Sequence, residues 1–223
     1  MRLIQSWVQI ITMNSPTTSH QGKASSVARI SAALVSCCQH LASMQNELKS
    51  VLEHGWVDHV NRKDHSGAWD VLPLRCQREH VNSHPILQSF AISSAEGWQD
   101  LPVLDACPAI HAFLKSMRCP LKSVRLMRLH AGAAIKPHRD QGLSMEYGEA
   151  RLHLPLQTSE RIRFVVNGQD VPMKAGELWY INADQEHSVQ NFSDEDRINL
   201  VMDCKANNWL YSAIANAGRN GGF

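Results

Sequence analysis

Six cysteines occur, yet no two of them form a C-x-x-C pair, so the ligand spacing of a structural zinc site is missing. Their scattered positions read as reduced thiols in a cytoplasmic protein rather than as a disulfide framework. No apolar stretch approaches the roughly 18 residues that a spanning helix needs. The mildly apolar start, Met1 to Thr12, is broken by Gln5 and Gln9 and carries no clear cleavage site. Neither sign of charge dominates: 22 Lys and Arg stand against 21 Asp and Glu. That balance excludes the broadly basic surface that nucleic acid or an anionic membrane requires. There is no G-x-S-x-G elbow and no glycine loop of the kind that cradles phosphate, so neither an activated serine nor a nucleotide site is indicated.

What is present is enough chain, 223 residues, for one substantial domain. Residues 1–27 form a loose tail, polar from Asn14 to Ser26, with Met13 as an alternative start. In residues 28–55, Ile30, Leu34, Leu41, Met44, Leu48 and Leu52 recur at helical spacing and predict a helix ending at Gly55; Cys37 and Cys38 then serve helix packing. A second helix fits 104–117, with Ile110, Phe113, Leu114 and Met117 on one side. Strands are expected at 68–74, 90–93, 123–130, 151–156, 161–166, 169–173, 177–181 and 197–203. Asn167-Gly168 joins two of them as a hairpin turn. Many short strands with turns between them predict a mainly β sandwich or barrel. The domain is placed at 28–212, with helical support from 28–55 and 104–117, a β core over 66–93 and 121–208, and a frayed tail at 213–223.

Pro137-His138-Arg139-Asp140 follows a strand. In extended chain, residues two apart point the same way, so His138 and Asp140 can reach one metal ion. His187, at the mouth of a strand pair, is the best third ligand. Two histidines and a carboxylate make the facial triad of non-haem iron(II) oxygenases, which leaves positions open for a chelating co-substrate and dioxygen. Ten residues later comes Arg197-Ile198-Asn199-Leu200-Val201-Met202-Asp203. Ile198, Leu200 and Met202 share one face; Arg197, Asn199 and Val201 share the other. A guanidinium facing a barrel interior is costly unless it meets an anion, and the distal carboxylate of 2-oxoglutarate would be one. A second strand repeats the pattern: Leu152, Leu154 and Leu156 face one way, Arg151 and His153 the other.

The run from about Ser123 to Asn208 resembles the aspartyl/asparaginyl β-hydroxylase family of iron(II), 2-oxoglutarate-dependent oxygenases, which also includes bacterial free-proline hydroxylases. The matching pieces are Arg125-x-x-Arg128, Gly132, Pro137-His138-Arg139-Asp140, Arg151-Leu152-His153-Leu154, Gly176-Glu177-Leu178-Trp179, His187-Ser188 and Arg197-x-Asn199-Leu200-Val201, with Gly67-x-Trp69 and Leu74-Arg75 upstream. The resemblance implies a double-stranded β-helix, a jelly-roll relative of the cupins, with supporting N-terminal helices. It implies iron(II) on His138, Asp140 and His187, and 2-oxoglutarate held by Arg197 with Arg151 and His153 assisting, with dioxygen as oxidant. Asp140 completes the triad and favours hydroxylation over halogenation.

The substrate expected from the resemblance is an amino-acid side chain, aspartyl or asparaginyl in a peptide or protein first, free proline or another small amino acid second. Trp69, Arg75 and Arg128 are the expected substrate contacts; strand alternation lets only one of Arg125 and Arg128 face inward. No separate acid or base is required beyond the metal centre. Two rivals remain at this stage: a cupin-type metalloenzyme without an oxoacid, and a non-catalytic jelly roll that binds a small molecule.

Overall fold

The computed structural model describes residue 27 and residues 30–52, 55–59, 64–89 and 97–219. Thirteen strands occur among them: β1 (Ala32–Cys37), β2 (Val57–Asp58), β3 (His65–Ser66), β4 (Trp69–Gln77), β5 (Trp98–Asp100), β6 (Leu121–Leu129), β7 (Ala134–His138), β8 (Glu149–Gln157), β9 (Ile162–Val166), β10 (Gln169–Asp170), β11 (Glu177–Ile181), β12 (His187–Asn191) and β13 (Arg197–Lys205). They pair antiparallel into two sheets. One runs β1-β11-β8-β13-β6-β4-β2, with β5 on β4; the other runs β10-β9-β12-β7-β3. The two sheets face each other as the expected mainly β, double-stranded β-helix.

Strand alternation builds two cores from one set of strands. From β13, Ile198, Leu200 and Met202 point outward, and Leu152, Leu154 and Leu156 of β8 lie beside them. Three helices cover that face: α1 (Leu41–Val51), α3 (Pro108–Ser116) and α4 (Asn208–Arg219), the short α2 (Pro85–Gln88) lying elsewhere along the chain. They contribute Met44, Leu48 and Val51, then Ile110 and Leu114, then Leu210 and Ile214. Each large aliphatic side chain so buried contributes about 1.5–3 kcal/mol. The second core lies between the sheets: Trp69, Leu129, Trp179 and Ile181 of the larger sheet meet Ile135, Phe164, Val166 and Val189 of the smaller.

Turn chemistry sets the register where it matters for the site. Asn167 (φ 50°) and Gly168 (φ 76°) form the hairpin between β9 and β10 that the dipeptide predicts. Gly67 (φ +75°) carries the chain from β3 in one sheet to β4 in the other. A Cβ there would stand 2.8 Å from the Ala133 Cβ and 3.0 Å from its Cα, so only glycine fits.

Three expectations are corrected. Residues 28–55 are not one helix: Ala32–Cys37 is an edge strand paired with β11, and among the described residues of that range only Leu41–Val51 is helical. Ala32 and Ala33 show why, because they drop into opposite cores, as strand neighbours must. Cys37 and Cys38 therefore end a strand. The segment 213–223 is not a tail throughout, since α4 runs on to Arg219 with Ile214 buried. The predicted helix at 104–117 is Pro108–Ser116 preceded by a 3-10 turn, Pro102–Ala106. The strand expected at 90–93 and the tail 1–27, apart from Val27, lie outside the described residues. All six cysteine thiols are free. Among the described residues, no helix is long and apolar enough to cross a membrane.

Candidate active site

A cavity of about 450 Å³ opens between the sheets, lined by polar side chains and by Trp69, Met127, Leu129, Ile135, Phe164, Val189 and Val201. His138 ends β7 and His187 begins β12, and the two are cross-strand partners in the smaller sheet. Their rings lie 4.2 Å apart at 50°. Asp140 follows just past the end of β7, where its backbone N–H donates to the Ala183 carbonyl at 2.8 Å. One ligand atom from each of the three lies within 4.8 Å of the others. Each histidine donates Nδ1–H to the backbone carbonyl two residues before it, Lys136 at 2.9 Å and Gln185 at 3.0 Å. That leaves both Nε2 lone pairs free for a metal, the tautomer that metal-binding imidazoles commonly adopt. Burial, with His138 nearby, lowers the His187 pKa to about 4, which keeps that ligand unprotonated. Burial opposes the Asp140 charge, but Arg151 and then His187 outweigh it, so its pKa falls below the ordinary carboxylate value.

The inner face of β13 supplies Arg197, Asn199, Val201 and Asp203. Arg197 is 4% exposed and its guanidinium lies over the Phe164 ring at 5.4 Å. Its Nη2 is buried without a hydrogen-bond partner, and burial alone pulls its pKa down to about 10. A buried cation with a spare donor facing a cavity is a receptor for an anion. The donor set of two imidazole nitrogens and one carboxylate oxygen, beside an unmatched guanidinium, fits a divalent iron with a dicarboxylate oxoacid. His153 lies on the same wall, with Asn199 donating Nδ2–H to its Nδ1 at 3.2 Å. Burial first, and Arg197 next, lower its pKa well below the usual histidine value, so the ring is neutral and its Nε2–H remains as a donor toward the cavity.

Arg151 is placed differently from the expectation that it grips the oxoacid. It lines the cavity, yet Nε and Nη2 both donate to Asp203, at 2.7 and 3.1 Å, and Nη1 donates to Asp140. Of the expected substrate contacts, Trp69 does line the cavity, stacked on His59 with ring centroids 3.5 Å apart. Arg75 does not: it pairs with Asp100 at the β4–β5 edge. Arg128 does not either: it pairs with Asp70 at 2.6 Å and lies over the Trp56 ring on the opposite face of β6. Parity gives the inward place to Arg125, which is 2% exposed and bound to Asp203 at 3.0 Å. Two residues of the site escaped the sequence reading. Asp203, which binds the lining residues Arg125 and Arg151, was legible because it continues the odd-numbered face of β13; His59, which lines the cavity, sits in a segment with no periodic signal.

Residues 38–207 match the family model described as aspartyl/asparaginyl beta-hydroxylase. The L-proline cis-4-hydroxylase of Rhizobium meliloti (strain 1021) is 29% identical over 153 residues, which is 67% of this chain and 52% of that protein. The chain thus spans about half the length of that curated relative. Among solved structures, the fold is similar to an oxidoreductase of the 2OG-Fe(II) oxygenase family from Burkholderia pseudomallei (TM-score 0.51, 12% identity, covering 87% of this chain and 95% of that one). It is similar also to the non-heme alpha ketoglutarate dependent epimerase SnoN from nogalamycin biosynthesis (TM-score 0.51, 14% identity, covering 83% and 80%). With three quarters of its length matched by one family model, the chain belongs to the aspartyl/asparaginyl beta-hydroxylase family.

Proposed function

We propose that the chain is a non-haem iron(II), 2-oxoglutarate-dependent dioxygenase that hydroxylates an amino-acid side chain. The observation that carries this reading is the meeting, in one cavity, of His138, Asp140 and His187 with the unpartnered guanidinium of Arg197. Iron(II) with 2-oxoglutarate and dioxygen supplies the oxidation, in which a C–H bond becomes C–O–H while the oxoacid leaves as succinate and carbon dioxide. His138, Asp140 and His187 would hold the metal. Arg197 would take the distal carboxylate of the oxoacid, and the His153 Nε2–H would donate to its other end. The apolar wall of Phe164, Val189 and Val201 excludes water from the reacting carbon.

For the substrate, Trp69 stays and Arg125 takes the place of Arg75 and Arg128, with an apolar plane and a cation lining the same space. They suit an amino acid whose carboxylate meets Arg125. An aspartyl or asparaginyl side chain remains the first substrate; the proline-hydroxylating relative makes free proline the second. The six free thiols agree with a cytoplasmic setting.

The test is an anaerobic titration of metal-free protein with iron(II) and 2-oxoglutarate, watching for the visible charge-transfer band of a chelated oxoacid. The band is expected in the wild type, and it should weaken in both Asp140→Ala and Arg197→Ala. Iron bound without any band would sink the oxoacid assignment and favour a cupin-type metalloenzyme. A band without turnover of any amino acid or peptide would favour a binding protein.

A further inference from the structure

Asp203 is 3% exposed and lies at the end of the inner face of β13, directly across from Arg151 in the β8–β13 ladder. Its carboxylate is fully engaged. Oδ1 accepts from Arg151 Nε at 2.7 Å; Oδ2 accepts from Arg151 Nη2 at 3.1 Å and from Arg125 Nη1 at 3.0 Å. Arg125 Nη1 is itself held to the Ser123 hydroxyl at 3.2 Å. The one nitrogen of Arg151 that Asp203 leaves over, Nη1, donates to Asp140 Oδ2. A continuous chain of charges therefore runs Arg125–Asp203–Arg151–Asp140, from the buried middle of β6 to the half-exposed carboxylate of the candidate triad.

Asp140 has need of such a hold. It stands beyond the last residue of β7, and its side chain is 35% exposed, against 7% for His187. The two histidines are oriented by backbone carbonyls, whereas among the described residues no backbone group holds the Asp140 carboxylate. A guanidinium clamped along its Nε–Nη2 edge has a fixed plane, so its remaining nitrogen points in one direction. We propose that Asp203 is a positioning residue for the metal: it clamps Arg151, and Arg151 in turn holds Asp140 Oδ2, the oxygen that stands 3.9 Å from His187 Nε2, so that the carboxylate is fixed beside the two imidazoles. This rests on the site reading above and moves Arg151 from the oxoacid to the metal ligand.

The test measures the iron(II) affinity of the full chain under anaerobiosis, by competition with a chromogenic chelator. Asp203→Asn is expected to weaken it about 10–100-fold, the usual cost of losing a group that orients a metal ligand. Arg151→Met should weaken it to a similar degree, and the double variant should be no worse than Arg151→Met alone, because the two residues act in series. Removing a carboxylate from between two buried arginines is strongly destabilising. Should Asp203→Asn fail to fold, Arg125→Met/Asp203→Asn keeps the net charge of the network and should show the same loss of affinity. Glu47→Gln, which weakens a helix far from the site, should lower stability and leave iron affinity unchanged. Wild-type affinity in folded Asp203→Asn, or losses that simply add in the double variant, would overturn the proposal while leaving the site reading intact. A wild-type chain that binds no iron would overturn both.

Discussion

Arg197 and Arg125 are buried and Arg151 is largely so, yet only the last two meet a carboxylate, sharing Asp203. Sealing a cation from water without a partner costs several kcal/mol, so Arg197 is maintained against stability. Replacing it by an apolar side chain of similar length should therefore separate stability from binding. Arg197→Met is expected to melt at or above the wild-type temperature, with a gain of up to about 3 kcal/mol, while 2-oxoglutarate affinity falls about 100-fold; thermal melts and the anaerobic titration read the two effects. His59 gives a second residue-scale expectation. Burial, followed by Arg125, lowers its pKa from 6.5 to about 3. The unfolded chain takes up this proton below about pH 6.5, whereas the folded chain does not until about pH 3. The group is thus without effect above pH 6.5 and costs up to about 1.4 kcal/mol per unit as the pH falls from there toward 3. His59→Phe keeps a ring against Trp69 and removes the titration. Its urea midpoint should fall less steeply than the wild type's between about pH 6.5 and about pH 4.5.

At the scale of elements, two helices of the covering layer, α1 and α3, are joined by one carboxylate. The helix α3 has no side-chain cap of its own, since Cys107 stands at its N-cap. Glu47 of α1 supplies both bonds instead, accepting from the Ala109 and Ile110 backbone N–H groups. A charge at a helix N-terminus gains from the helix dipole as well as from the hydrogen bonds. Glu47→Gln should lose about 1–2 kcal/mol of unfolding free energy by denaturant titration, with the far-ultraviolet spectrum preserved. The misread of β1 belongs to this scale too. Ala32 to Cys37 is apolar enough to fit a helical period, and a short apolar run has no period of its own. What makes it a strand is the open edge of β11, which pairs with it through a bulge between Leu34 and Ser36. Helical spacing in Leu41–Val51 was legible because Met44, Leu48 and Val51 repeat over enough turns to define a face.

For the whole molecule, ligand and fold should be linked by mass action. On the proposed reading, iron(II) and 2-oxoglutarate would bind residues drawn from β7, β12, β13 and the loop after β7, which are assembled only in the folded chain. Both ligands at about a hundred times their dissociation constants should add about 2.7 kcal/mol for each site filled. That corresponds to a rise of roughly 5–10 °C in melting temperature for a chain of this size. Chelation of the metal should reverse it, and Arg197→Met should keep only the part due to iron.

The residue order alone determined the strand alternation, and with it which side chains of β8 and β13 turn away from the helices. It also determined the H-x-D pair, because two residues of extended chain are a geometry that needs no partner. The hairpin at Asn167-Gly168 is of the same kind, a local conformation that those two residues favour by themselves. What the tertiary structure decided is everything that depends on which strand lies beside which. Register placed His187 opposite His138 across some fifty residues of chain, and it set Asp203 against Arg151. It turned Arg125 into the cavity and left Arg75 and Arg128 to carboxylates elsewhere. A guanidinium carries the same charge wherever it stands; whether it meets a ligand, a neighbouring Asp or a metal-binding carboxylate depends on what the folded sheets bring within about 3 Å of it.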